Sequence, residues 1–192
     1  MLRELDRRIA TYHEAGHAAV GHLMGFHVDG VYIGEEIPHR WKKRFELIGL
    51  TVFSSGKNGW CGALDYFDGD VLKHEKQAKI YAAGRIAEQL FFPDDWNRSC
   101  SLLDWKGIKM ELAYRGTAKM SNIIISTRKL LSRKENKRLV RRVAWVLYHR
   151  GYIDRFGMPI ILGSKKRRWR IKRKLKQIFS KIKKRVESLV KK

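Results

Sequence analysis

The sequence predicts a mainly α-helical domain of the α+β class, with a small β-sheet beside its first helix. Apolar residues recur at helical spacing in four segments, whereas short β-prone runs cluster between residues 28 and 67. A chain of 192 residues, 44% of them hydrophobic, is long enough to bury one core. We therefore expect one folded domain over residues 1–163 and a segment of different composition over residues 164–192.

The first predicted helix covers roughly residues 2–25, because this stretch lacks proline and ends at Gly25. The run Leu47–Phe53 is β-prone and predicts a strand of the small sheet. Three further helices are predicted over residues 73–92, 101–114 and 134–150. Pro93 closes the first of these three and Gly151 the last.

The first helix contains the pentad His-Glu-Ala-Gly-His at residues 13–17. A separation of four residues places His13 and His17 on one helix face, which presets two ligands of a tetrahedral zinc site. Glu14 is offset by about 100° and can take a proton from a metal-bound water. A chance coincidence on a surface helix is the alternative, but the flanking residues are small or apolar, which favours a buried metal site. These flanking residues are Ala10, Ala15, Ala18, Ala19 and Val20.

A catalytic zinc site usually has three protein ligands, so a third must come from elsewhere in the chain. Residue chemistry leaves two carboxylates open, Glu88 in the second helix and Asp104 at the start of the third. The remaining histidines are not expected to be ligands, since His22 and His27 are predicted on other surfaces and the rest lack a partner at ligand spacing. The rest are His39, His74 and His149.

Four segments together resemble the peptidase domain of the FtsH family of zinc metalloproteases. They are His13–Ala18 with Leu23-Met24-Gly25, Gly49–Phe53, Ala83–Glu88 (Ala-Gly-Arg-Ile-Ala-Glu) and Ser101–Asp104. The resemblance covers about residues 5–115. It implies a zincin-like helical metallopeptidase with Zn²⁺ as cofactor, and it implies that Asp104 is the third ligand. An extended peptide substrate is then expected to add to a free edge of the Leu47–Phe53 strand, although a purely structural core strand has the same pattern.

The family joins its peptidase to an ATP-driven unfoldase, but this sequence contains no Gly-x-x-x-x-Gly-Lys-Ser/Thr phosphate loop. We therefore expect an ATP-independent zinc metalloendopeptidase that cleaves flexible peptides or unfolded proteins. To cleave folded proteins, it would need a separate unfoldase as a partner. The alternative is a catalytically silent protein of the same fold that binds membrane or nucleic acid through its basic tail. The intact set of His13, Glu14 and His17 favours the enzyme.

Residues 164–192 hold fifteen lysines and arginines against the single acid Glu187, which contributes +14 to the chain's net charge of +23. Apolar residues recur among them every three or four positions, a pattern typical of a basic amphipathic helix. We expect this helix to bind an anionic membrane surface. Nucleic acid is the rival partner, and packing on the domain is the third reading.

The cysteines and the N-terminal residues indicate in which cellular compartment the protein is expected. Cys61 and Cys100 form no CxxC pair, and the first residues include no apolar region of the kind found in a secretory signal. No stretch approaches 18 consecutive apolar residues. We therefore expect a cytoplasmic protein, held peripherally at the inner face of the membrane if the basic helix binds lipid.

Overall fold

The computed structural model describes residues 4–37, 39, 49–54, 60–61, 71–95, 102–115 and 119–163, and most of these residues are helical. The predicted basic helix at residues 164–192 and the boundary before it lie outside the described residues. The helices are α1 (Glu4–Leu23), α2 (Val71–Phe91), α3 (Leu102–Arg115), α4 (Met120–Ser132), α5 (Lys134–Arg150) and α6 (Met158–Leu162), with a short 3₁₀ helix at Gly34–Glu36. The strands are β1 (His27–Ile33), β2 (Gly49–Ser54), β3 (Trp60–Cys61) and β4 (Tyr152–Ile153). The predicted mainly helical α+β class is confirmed.

The four strands form one antiparallel sheet in the order β3, β2, β1, β4. β2 pairs with β1 along its length, with Thr51 opposite Val31, and β3 pairs with Phe53 and Ser54 on the other side of β2. The free edge that peptide addition would need is thus occupied at Phe53, and the sheet order favours the alternative expectation, a structural strand inside the sheet. A two-residue strand such as β3 is too short to leave a sequence pattern, which is why the pairing was not foreseen.

Helix α1 is central, because it packs against α2, α5 and the first two strands. Its contact with α2 is very close. A Cβ atom at Gly16 would lie 2.6 Å from the carbonyl oxygen of Ala83 and 2.8 Å from the Cβ of Ala87. The glycine thus lets the two helix backbones approach each other, and alanines fill the rest of this contact. This crossing brings the histidine face of α1 onto α2.

Helix α5 has the predicted bounds and ends at Gly151, which adopts a left-handed conformation with φ 76°. Helix α4 was not predicted, because its run Ile123-Ile124-Ile125 is β-branched and has no clear helical period. Its buried residues, Ile123, Thr127 and Leu131, show that packing determines its structure. Within the described residues, no helix combines the length and the apolar composition needed to cross a bilayer.

Candidate metal centre

The two histidines of the pentad project from the same face of α1 toward α2 and α3. Their Nε2 atoms lie 2.9 Å apart, and their rings meet edge to face with centroids 4.6 Å apart. His17 is buried, and His13 is partly buried. The spacing of four residues thus brings the two imidazoles together, as the sequence predicts.

The Nδ1 atom of each ring has its own partner on α2. His17 Nδ1 donates to the backbone carbonyl of Ile80 at 2.7 Å, since a carbonyl can only accept. His13 Nδ1 lies 2.6 Å from Oε1 of Glu88, a carboxylate buried to 1% exposure. With the proton on Nδ1, each Nε2 atom keeps the lone pair that a metal-binding imidazole needs. Such partners are the usual means of orienting a metal-binding histidine.

Asp104, in the first turn of α3, completes this group. Its Oδ2 atom lies 3.0 Å from Nε2 of His13 and 3.4 Å from Nε2 of His17. Of the two carboxylates left open by residue chemistry, Asp104 therefore faces the Nε2 atoms and Glu88 lies behind His13. The side chains of His13 and Asp104 remain 13% and 17% exposed, so the group is not sealed from solvent.

Three observations support the binding of a cation by this group. The three donor atoms are separated by 2.9, 3.0 and 3.4 Å, close to the roughly 3.3 Å expected between ligands at zinc–nitrogen distances in a tetrahedron. Oδ2 of Asp104 is buried and accepts no hydrogen bond from the described residues. Finally, a Cβ atom at Gly84 would lie within 2.6 Å of both imidazoles, so only glycine leaves room for the pair.

The electrostatics of the group also favour positive charge. Burial lowers the pKa of His13, but Asp104 and Glu88 outweigh it and hold the pKa well above its ordinary value. Burial likewise opposes the rise at His17, whose pKa is raised chiefly by Asp104. For Asp104 burial raises the pKa, yet the two imidazoles bring it far below the usual range. The field that attracts protons here also attracts a divalent cation.

Glu14 lies beside the two imidazoles, and the three side chains together form a group that could hold a metal ion. It is buried, and one of its carboxylate oxygens is within 4.8 Å of the ligand atoms of both histidines. The hydroxyl of Thr51 on β2 donates to Oε2 of Glu14 at 2.6 Å. Burial raises the pKa of Glu14, opposed by His17, His13 and Thr51. The result is an oriented carboxylate that is a stronger base than an exposed glutamate.

Sequence reasoning missed three contributors to this site, namely Thr51, Gly84 and the carbonyl of Ile80. Thr51 and Gly84 lie in segments that carry the resemblance, but no local pattern in the sequence indicates the role of any of the three. Outside the site, His74 is buried with Nδ1 2.7 Å from Oε2 of Glu111, and His27 contacts Asp29 at the surface. Among the described residues, the group that could hold a metal ion consists of His13, Glu14 and His17 and includes neither pair.

The chain was compared with known proteins. No protein-family model matches it, and no curated protein matches it either.

The different positions of the two carboxylates predict different effects on zinc affinity. Asp104→Asn should weaken zinc binding more than Glu88→Gln, because a neutral amide replaces a donor that faces both Nε2 atoms. Glu88→Gln should cost about 10-fold to 100-fold, as is usual for the partner of a metal-bound histidine. Competition against a zinc-binding dye measures both affinities. The opposite ranking would assign the third ligand to Glu88.

Proposed function

We propose that this protein is a zinc-dependent metalloendopeptidase in which His13, His17 and Asp104 hold the metal and Glu14 is the catalytic base. The observation that carries the proposal is the convergence of two Nε2 atoms and one carboxylate oxygen within 3.4 Å, beside a buried glutamate. Three protein ligands with solvent access are typical of catalytic rather than structural zinc sites. Two imidazoles and one carboxylate are also one of the ligand sets found in catalytic zinc sites of peptidases.

The chain's own residues have separate tasks in this reaction. Zinc held by His13, His17 and Asp104 would supply two effects, a lower pKa of bound water and polarisation of the scissile carbonyl group. Glu14 removes a proton from the attacking water and later transfers it to the departing amine. Thr51 holds Oε2 of Glu14 in position, and Glu88 and the Ile80 carbonyl orient the two imidazoles.

The likeness to the FtsH peptidase domain supports peptides as the substrate class, and we propose a zincin-like fold for the same reason. The buried site helix α1 lies against the sheet through β1 and β2, the arrangement that the proposal requires. The access of solvent to His13 and Asp104 fits a substrate that reaches the site as a flexible segment.

Removal of the metal tests the proposal directly. The full chain should contain one zinc per molecule and should cleave casein. We expect the activity to disappear with a chelator and to return on adding zinc. His13→Ala and His17→Ala should lose both the metal and the activity, because each deletes a ligand. Two results would contradict the proposed function. One is zinc-free protein with full activity, and the other is zinc-loaded protein that cleaves neither casein nor shorter unfolded peptides.

The contact between Thr51 and Glu14 predicts a positioning role for the threonine. Thr51→Val keeps the shape of the side chain and removes the hydroxyl, so kcat should fall about 10-fold or more, as expected for loss of a hydrogen bond to a charged group. Zinc content and KM should stay near wild type, and the pH at which Glu14 protonates should move. Thr51→Ser, which restores the hydroxyl, should recover most of kcat. A merely structural role would instead lower stability and leave the pH profile unchanged.

A further inference from the structure

One face of α5 carries a row of side chains that the proposed peptidase reaction does not use. The row consists of Lys134, Arg138, Arg141, Trp145 and His149, all of them exposed. Their spacing of four, three, four and four residues confines them to an arc of about 80° and a length of about 22 Å on the helix. We call this row the α5 stripe. The opposite face of α5 is buried and includes Leu139, Val140, Val143, Ala144 and Leu147.

The three cations of the α5 stripe are not neutralised within the described part of the chain. Among the described residues, no acidic side chain forms an ion pair with Lys134, Arg138 or Arg141. The guanidinium of Arg141 lies 5.4 Å from the ring centre of Phe91, an interaction that leaves its charge in place. Glu135 is the only acid of α5. The stripe therefore presents three positive charges to solvent.

Trp145 lies in line with these cations and is 66% exposed. Its ring meets the ring of His149 edge to face, with the ring centroids 4.7 Å apart. Transfer of this exposed indole from water into an apolar layer would be favourable in proportion to the apolar area that is buried. A partner that complements the stripe must thus offer negative charge along a line and an apolar layer beside it.

We propose that the α5 stripe docks on an anionic lipid surface, with the three cations among the headgroups and Trp145 at the boundary of the hydrocarbon. Tryptophan prefers this boundary, and lysine and arginine near anionic headgroups each add to the attraction. The stripe lies on the convex face of a helix and contains one indole, which does not provide the groove and successive aromatic rings that single-stranded nucleic acid uses. The docking surface includes no residue of the 164–192 segment and none of the proposed metal ligands.

The test uses the full chain and vesicles of phosphatidylcholine with or without phosphatidylserine. Lys134→Glu with Arg138→Glu should lower the partition onto anionic vesicles by at least about 20-fold, because each cation near such a surface contributes about fivefold. The matched control is Lys76→Glu with Lys109→Glu, an equal change in net charge at exposed positions of α2 and α3. The partition of the control onto anionic vesicles should also fall, but the logarithm of its fold-change should be no more than about a quarter of that of the stripe variant.

A second pair of variants tests the indole. Trp145→Ala should reduce binding to anionic vesicles several-fold, whereas Ile125→Ala on α4, where the side chain is 64% exposed, should stay within twofold. Circular dichroism and zinc content establish that all variants remain folded. Equal losses in the stripe and control variants would overturn the proposal, as would undiminished vesicle binding by the stripe variants. Loss of binding to a single-stranded oligonucleotide with unchanged vesicle binding would assign the stripe to nucleic acid instead.

Discussion

Glu14→Gln is expected to retain one zinc per chain and to lose peptidase activity by about 10²-fold to 10⁴-fold, the usual contribution of a general base. The substitution is isosteric, and its amide oxygen can still accept the hydrogen bond from Thr51. The proposed ligands His13, His17 and Asp104 are untouched. What disappears is the basic oxygen that accepts a proton, so the loss should fall on kcat and not on metal affinity.

Single-turnover hydrolysis of a casein-derived peptide, measured beside the zinc content of the same preparation, checks this result. Glu35→Gln is a suitable control, because it makes the same chemical change at an exposed position of the 3₁₀ helix. Glu14→Gln protein with wild-type turnover would remove Glu14 from the mechanism. A variant that lost zinc as well would show that Glu14 supports the metal and would contradict its role as base.

Gly84→Ala is expected to lower zinc affinity by at least about 100-fold, beyond the range seen when only a ligand's partner is changed. The added Cβ would lie 2.5 Å from Nε2 of His17 and 2.6 Å from Nε2 of His13. Each ring is fixed by its Nδ1 contact, so neither can move away without breaking that contact. Alanine favours a helix by about 1 kcal/mol over glycine, which makes the effect on the metal separable from helix propensity.

Gly16→Ala provides the matched comparison, since it is the same change in the same contact between α1 and α2. There the added Cβ would meet Ala83 and Ala87 and not the imidazoles. It should lower the unfolding free energy by about 1–3 kcal/mol through overpacking. Zinc titration and thermal unfolding of both variants check the pair. If Gly84→Ala bound zinc as tightly as wild type, the close approach to the imidazoles would not limit the site.

The sequence allowed prediction of those parts of the fold that depend on local spacing. The helix that bears His13 and His17, and the helix from Lys134 to Arg150, were both foreseen because apolar periodicity and end signals agree there. Helix α4 was missed because its three consecutive isoleucines are β-branched. The two-residue strand β3 left no pattern, so the sequence could not decide between an edge and an interior position for β2.

The candidate site divides in the same way. His13, Glu14 and His17 lie within one helical turn of each other, so their proximity is a property of the local sequence. Asp104 and Glu88 were both candidates, and only the packing of α1, α2 and α3 shows which of them faces the Nε2 atoms. Thr51 comes from a strand far along the chain, and its contact with Glu14 depends on how the sheet packs against α1.

The origin of the three donor atoms has a consequence for folding. Two of them come from α1 and the third from α3, and α2 lies between as the support of both imidazoles. An unfolded chain rarely brings such distant segments together, since closing so long a loop costs entropy. A metal that binds only the assembled group shifts the folding equilibrium toward the native state by mass action. Under the proposed function, zinc supply would then set the stability of the folded chain as well as its activity.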